Sequence, residues 1–143
     1  MDNKIQFFTE DVFFRLKGKI AIRQWLINAI KEEKKKPWYL NFIFCSDAYL
    51  LEINKTYLKR DTLTDIITFP YSDNLEIISG DIFISIERVK ENSESFKQTF
   101  DTELKRIMIH GVLHLIGYDD KSKEDKKIMT EMEDHYLLKF NGK

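Results

Sequence analysis

Hydrophobic positions along the chain recur with two periods, and the alternation between them outlines the elements. From Ile5 to Phe14 aromatic and apolar residues crowd together, which predicts a strand at the edge of a sheet. Ile22, Trp25, Leu26, Ala29 and Ile30 then follow i, i+3, i+4, i+7 and i+8, one face of an amphipathic helix. The run Lys31-Glu32-Glu33-Lys34-Lys35-Lys36 closes that helix as a solvated end, its cations complementing the helix dipole. Trp38 to Cys45 alternates as a strand, and Ser46 offers a capping oxygen to a helix carrying Leu50, Leu51, Ile53, Asn54 and Tyr57. Thr64 to Phe69 is β-branched and halts at Pro70, which predicts another strand. Gly80 to Ile86 alternates again, with Ile82, Ile84 and Ile86 on one face, and a helix through Glu87 to Asn92 follows.

The second half reads as helix. One begins at Thr99 or Asp101 and runs to Ile116, buried through Leu104, Ile107, Met108 and Leu115. The last starts at Ser122, with Glu124 and Asp125 in its first turn, and carries Ile128, Met129, Met132 and Tyr136 inward. The order of elements predicts an α+β fold, a small mixed β-sheet flanked by helices, in a single domain over residues 1–143.

Chemistry concentrates in one stretch, His110-Gly111-Val112-Leu113-His114-Leu115-Ile116-Gly117-Tyr118-Asp119-Asp120. Two imidazoles four residues apart on a helix leave the same face and can converge on one ion. Gly117 can take a positive φ and end the helix sharply, so the chain turns back and presents Asp120 three residues later. The layout His-x3-His-x2-Gly-x2-Asp is a facial set of three ligands with room for water or substrate, the pattern of a catalytic zinc on a zincin-like helix. Asp119 rivals Asp120 as the third ligand and otherwise suits a carboxylate that orients a histidine. Two of the three histidines lie here; His135, on the last helix, reads as a surface or half-buried residue and not as a ligand. Gly111 occupies the place where the peptidase motif His-Glu-x2-His carries its general base, which argues against peptide hydrolysis.

Composition narrows the classes. With 43% hydrophobic residues the chain can bury a core unaided, and the lone Cys45, inside an apolar run, excludes an internal disulfide and reads as a small buried hydrophobe. No Cys-x2-Cys pair suggests a zinc ribbon, and no apolar run approaches a membrane span, so a cytoplasmic location is expected. A net charge of −1 leaves any nucleic-acid contact to a local basic patch.

Three blocks in order resemble the YbeY family, bacterial ribosomal-RNA maturation factors described as single-strand-specific metal-dependent endoribonucleases. The resemblance covers the chain from about Leu51 onwards. The blocks are Asn54-Lys55-Thr56-Tyr57 with Asp61 and Thr64 to Pro70, Gly80 to Ser85, and His110 to Asp120. It implies one zinc ion held by His110, His114 and Asp120, and single-stranded RNA as substrate, within ribosomal RNA or a ribosomal subunit, with no DNA or membrane partner. Two positions depart from the family pattern. Asp120 stands where a third histidine is usual, which a zinc site tolerates because a carboxylate oxygen is an acceptable ligand. Leu58 stands where an arginine credited with activity is typical, and the adjacent Lys59 and Arg60 are the residues expected to meet phosphate in its place. Thr64, Asp65 and Thr68 suit the wall of a substrate groove or equally a strand-capping role, and Tyr57, Phe69 and Tyr71 suit base stacking or the core. Two other classes compete with the nuclease: a ribosome-assembly binding protein with a mainly structural metal, and a metal-dependent hydrolase of another substrate.

Overall fold

The computed structural model describes residues 4–58 and 64–141. Strand β1 (Ile5–Thr9) leads through helix α1 (Lys19–Glu32) to strand β2 (Lys36–Cys45). Helix α2 (Asp47–Leu58), strands β3 (Ile66–Pro70) and β4 (Ile77–Ser85), and helices α3 (Ile86–Ser95), α4 (Phe100–Ile116) and α5 (Lys123–Asn141) follow. The strands form one sheet in the order β1-β2-β4-β3, parallel at β1/β2 and β2/β4 and antiparallel at β3/β4. The fold is therefore α+β with a four-stranded mixed sheet, as the block order implies.

Alternation along the strands divides the sheet into two faces. Ile5, Leu40, Phe42, Phe44, Ile82 and Ile84 point to one side, where they pack with Trp25, Leu26 and Ile30 of α1, Met108, Val112 and Leu113 of α4, and Tyr136 of α5. On the other side Cys45 and Ile67 pack with Leu50 of α2. All five positions that set the period of α1 are buried.

Several boundaries differ from the expectations, each for a local reason. The first strand ends at Thr9, not Phe14, because Asp11 turns away to accept hydrogen bonds from the Ser46 N–H (3.0 Å) and hydroxyl (2.5 Å). Phe14 then folds back onto Phe44 and Phe100. Ile86 belongs to α3 rather than to the strand before it, since the Ser85 hydroxyl caps that helix by accepting from the Arg88 N–H at 3.2 Å. Ser46, Thr99 and Ser122 cap their helices as the sequence suggests. On α5 the buried stripe runs through Met129, Glu133, Tyr136 and Leu137, so Ile128 falls at its margin and is exposed, contrary to the inward placement expected. The charged run after α1 is not uniformly solvated: Glu32 meets His135 at 2.6 Å, and Glu33 is half-buried against two tyrosines.

Candidate active site

Helix α4 crosses the first face of the sheet and buries Leu104, Ile107, Met108, Val112 and Leu113. That orientation leaves His110 and His114, one turn apart, at the edge of the helix beside β3. Gly111 is what lets the helix approach so closely. A Cβ there would meet Ile66 Cδ1 at 2.9 Å and Ile82 Cγ2 at 3.0 Å. The side of position 111 therefore faces packed isoleucines, with no room for a catalytic glutamate. At its end, Gly117 takes φ 128°, and its N–H and that of Tyr118 return to the Leu113 carbonyl, each at 3.1 Å. The turn brings Asp120 back over the last part of the helix.

His110, His114 and Asp120 line one open pocket of about 460 Å³ with Asn54, Leu58, Thr64, Asp65 and Thr68. His110 Nε2 lies 3.7 Å from Asp120 Oδ2. The expected ligands thus share a single pocket, although among the described residues no group of three His, Cys, Asp or Glu side chains is gathered as a ready ion site. Asp119 is exposed and does not line the pocket. Lys59 and Arg60 lie outside the described residues, and Leu58, just before them, forms part of the pocket wall.

The residue that sequence reasoning missed is Glu133. It is buried on α5, 23 positions from His110, and its Oε2 sits 2.7 Å from His110 Nδ1 while its Oε1 accepts from Arg106 at 2.8 Å. Arg106 also donates to Asp134 at 2.6 Å. A carboxylate on Nδ1 favours the tautomer that carries its proton there, leaving the Nε2 lone pair for the pocket. Burial opposes charging of His110, but the hydrogen bond and charge of Glu133, with the charges of Asp120 and Asp65, together hold the imidazole pKa above its ordinary value. Asp65, at the start of β3, is pushed up by burial, aided by the negative charges of Asp120 and Glu133 and opposed by its own backbone hydrogen bond and by His110. Glu103, one face-repeat before Ile107 on α4, is likewise raised by burial. The only sequence signal for Glu133 was a charged residue at i+4 from Met129 on an otherwise apolar stripe.

Aromatic residues divide between core and surface. Phe69 is half-buried against Phe83, and Tyr57 leans edge-on against Phe69 with 68% of its surface open. Tyr71 is exposed and hydrogen-bonds to Asp81.

The structure is an α+β domain with a histidine- and carboxylate-lined pocket beside the edge strand β3. A family model described as Endoribonuclease YbeY matches residues 5–141. An Endoribonuclease YbeY of Flavobacterium psychrophilum is 49% identical over 95% of this chain and 96% of its own. One from Cytophaga hutchinsonii is 47% identical over 95% of both chains. The solution structure of a Thermotoga maritima protein superposes with a TM-score of 0.66 at 29% identity, over 96% of this chain and 89% of that one. The chain belongs to the endoribonuclease YbeY family.

Proposed function

We propose that this protein is a metal-dependent endoribonuclease that cuts single-stranded RNA, acting in the cytoplasm on small-subunit ribosomal RNA during its maturation and in ribosome quality control. The observation that carries the reading is the convergence of His110, His114 and Asp120 on one pocket, with His110 oriented by buried Glu133. Two imidazoles and a carboxylate suit one zinc ion. Bound there, zinc would supply charge relief at a phosphoryl group and make a water molecule more acidic. Glu133 keeps His110 Nε2 directed into the pocket, while Asn54, Thr64 and Thr68 offer polar groups along the wall. Tyr57, exposed and braced on Phe69, provides a ring face for a base. Among the described lining residues none is a lysine or arginine, and phosphate contacts are assigned to Lys59 and Arg60. No described helix is long and apolar enough to cross a membrane.

A labelled single-stranded RNA tests the reading directly. Cleavage is expected to stop with chelator and return with zinc, His114→Ala to lose most bound zinc, and Arg60→Ala to cut slowly with zinc content and Tm nearly unchanged. Cleavage indifferent to chelator would sink the proposal. Leu58, standing in the pocket where the family carries arginine, favours a second reading, a ribosome-assembly binding protein whose metal is structural. That reading expects no RNA cleavage and a Tm that falls sharply on metal removal. Hydrolysis of peptides is disfavoured by the isoleucines packed against Gly111.

A further inference from the structure

The carboxylate of Glu33 joins three elements far apart in sequence. Its Oε1 accepts from the Tyr118 hydroxyl at 2.8 Å, across 85 residues, and its Oε2 accepts from the Tyr136 hydroxyl, across 103. Glu33 is itself immobilised as the C-cap of α1, where its N–H returns to the Ala29 carbonyl at 3.1 Å and Lys34 turns the chain with φ 66°. Tyr136 is equally fixed: it is fully buried, and its carbonyl accepts from Trp25 Nε1 at 2.7 Å. Tyr118 is therefore tethered to a rigid support, and it sits two residues before Asp120, in a turn that begins at a glycine.

We propose that Glu33 is a positioning residue for the turn 117–120, acting through Tyr118 to hold the Asp120 carboxylate at the pocket. The inference rests on the reading of Asp120 as a metal ligand. Gly117 brings backbone freedom to the turn and Asp119 beside it is exposed; the N–H bonds of Gly117 and Tyr118 to the Leu113 carbonyl fix where the turn starts, the Tyr118 ring packs on the core, and Glu33 fixes the Tyr118 hydroxyl. A carboxylate is the side chain the arrangement requires, because both partners are hydroxyl donors and an ionised carboxylate is acceptor-only. Glutamine has one acceptor oxygen and an amide that donates, so it can satisfy one tyrosine but not both in the same way. Without the tether, Asp120 would have to be ordered at the moment of binding, and the ion would bind more weakly.

Zinc affinity of the full chain, measured by competition with a chromogenic chelator, tests this beside the Tm of the zinc-free protein. Glu33→Ala and the milder Tyr118→Phe are each expected to weaken zinc binding by about 10–100-fold, the usual range for a residue that supports a ligand. Glu33→Gln should fall between wild type and Glu33→Ala. The decisive arm is a double-mutant cycle: in an Asp120→Ala background, Glu33→Ala should add almost nothing to the loss. If Glu33→Ala and Tyr118→Phe leave affinity unchanged while Asp120→Ala lowers it, the tether is structural only and the inference fails. A Glu33→Ala effect undiminished in the Asp120→Ala background also overturns it, since Glu33 would then act elsewhere. Unchanged affinity in Asp120→Ala alone would remove the ligand assignment and the inference with it.

Discussion

Glu133 holds Arg106 with one oxygen and His110 with the other, so a single buried carboxylate both neutralises a cation and sets a tautomer. Glu133→Gln keeps the shape but places an amide donor against one of two donors. Arg106 retains Asp134, and the pair is partly open to solvent, which limits the stability cost to about 1–3 kcal/mol in urea denaturation. Zinc affinity should fall by about 10–100-fold in the same variant. Loss of stability with unchanged affinity would mean that the His110 ring needs no help from Nδ1. The histidine pair itself was legible because i, i+4 spacing on a helix is a local property. Glu133 was not, because nothing in the sequence indicates which turn of α5 docks beside which turn of α4.

Helix α4 illustrates the same division at the scale of an element. Its existence and its end follow from period and from Gly117, but the reason for Gly111 is invisible without the sheet. In an exposed helix, replacing glycine by alanine gains about 1 kcal/mol. Here the new methyl would press on Ile66 and Ile82. Because the nearest atoms are side-chain ends that can shift, Gly111→Ala should fold and yet be destabilised by about 1–3 kcal/mol, as overpacked cores are. Chemical denaturation measures this, and a stabilised variant would contradict the packing described. Strand ends were misplaced for a related reason. Asp11, beyond the end of β1, and Ser85, the last residue of β4, spend their side chains on bonds with partners 35 and 3 residues away, and such bonds compete locally with continuation of the ladder.

Across the whole molecule, Cys45 reports on the integrity of the sheet. It lies between the sheet and α2, fully buried, and burial first, then the nearby charges of Asp11, Glu10 and Asp47, push its thiol up to about 12 from an ordinary 9.0. A thiol is reactive as thiolate, so alkylation of the native protein at pH 8 should be slow and should track global unfolding in denaturant. Rapid native-state labelling would place Cys45 at the surface. The sign of the pH effect follows: the unfolded chain releases this proton near 9.0 while the folded one holds it, so this contribution to stability is intact below 9.0 and is lost as pH rises toward about 12. Equilibrium denaturation across that range measures it, together with half-buried Tyr118 and buried Tyr136, whose pKa values are raised in the same direction by burial and by Glu33.

Period, capping residues and turn chemistry act over a few positions, and so the sequence by itself determined the helices and strands, the mixed character of the sheet and the His-x3-His-x2-Gly-x2-Asp stretch. The placing of Glu133 on His110, of Glu33 on Tyr118 and Tyr136, and of Asp65 beside Asp120 was decided only by the tertiary structure. Each joins residues between 23 and 103 positions apart, and such distances close through the packing of helix faces on the sheet, whose register no local pattern encodes.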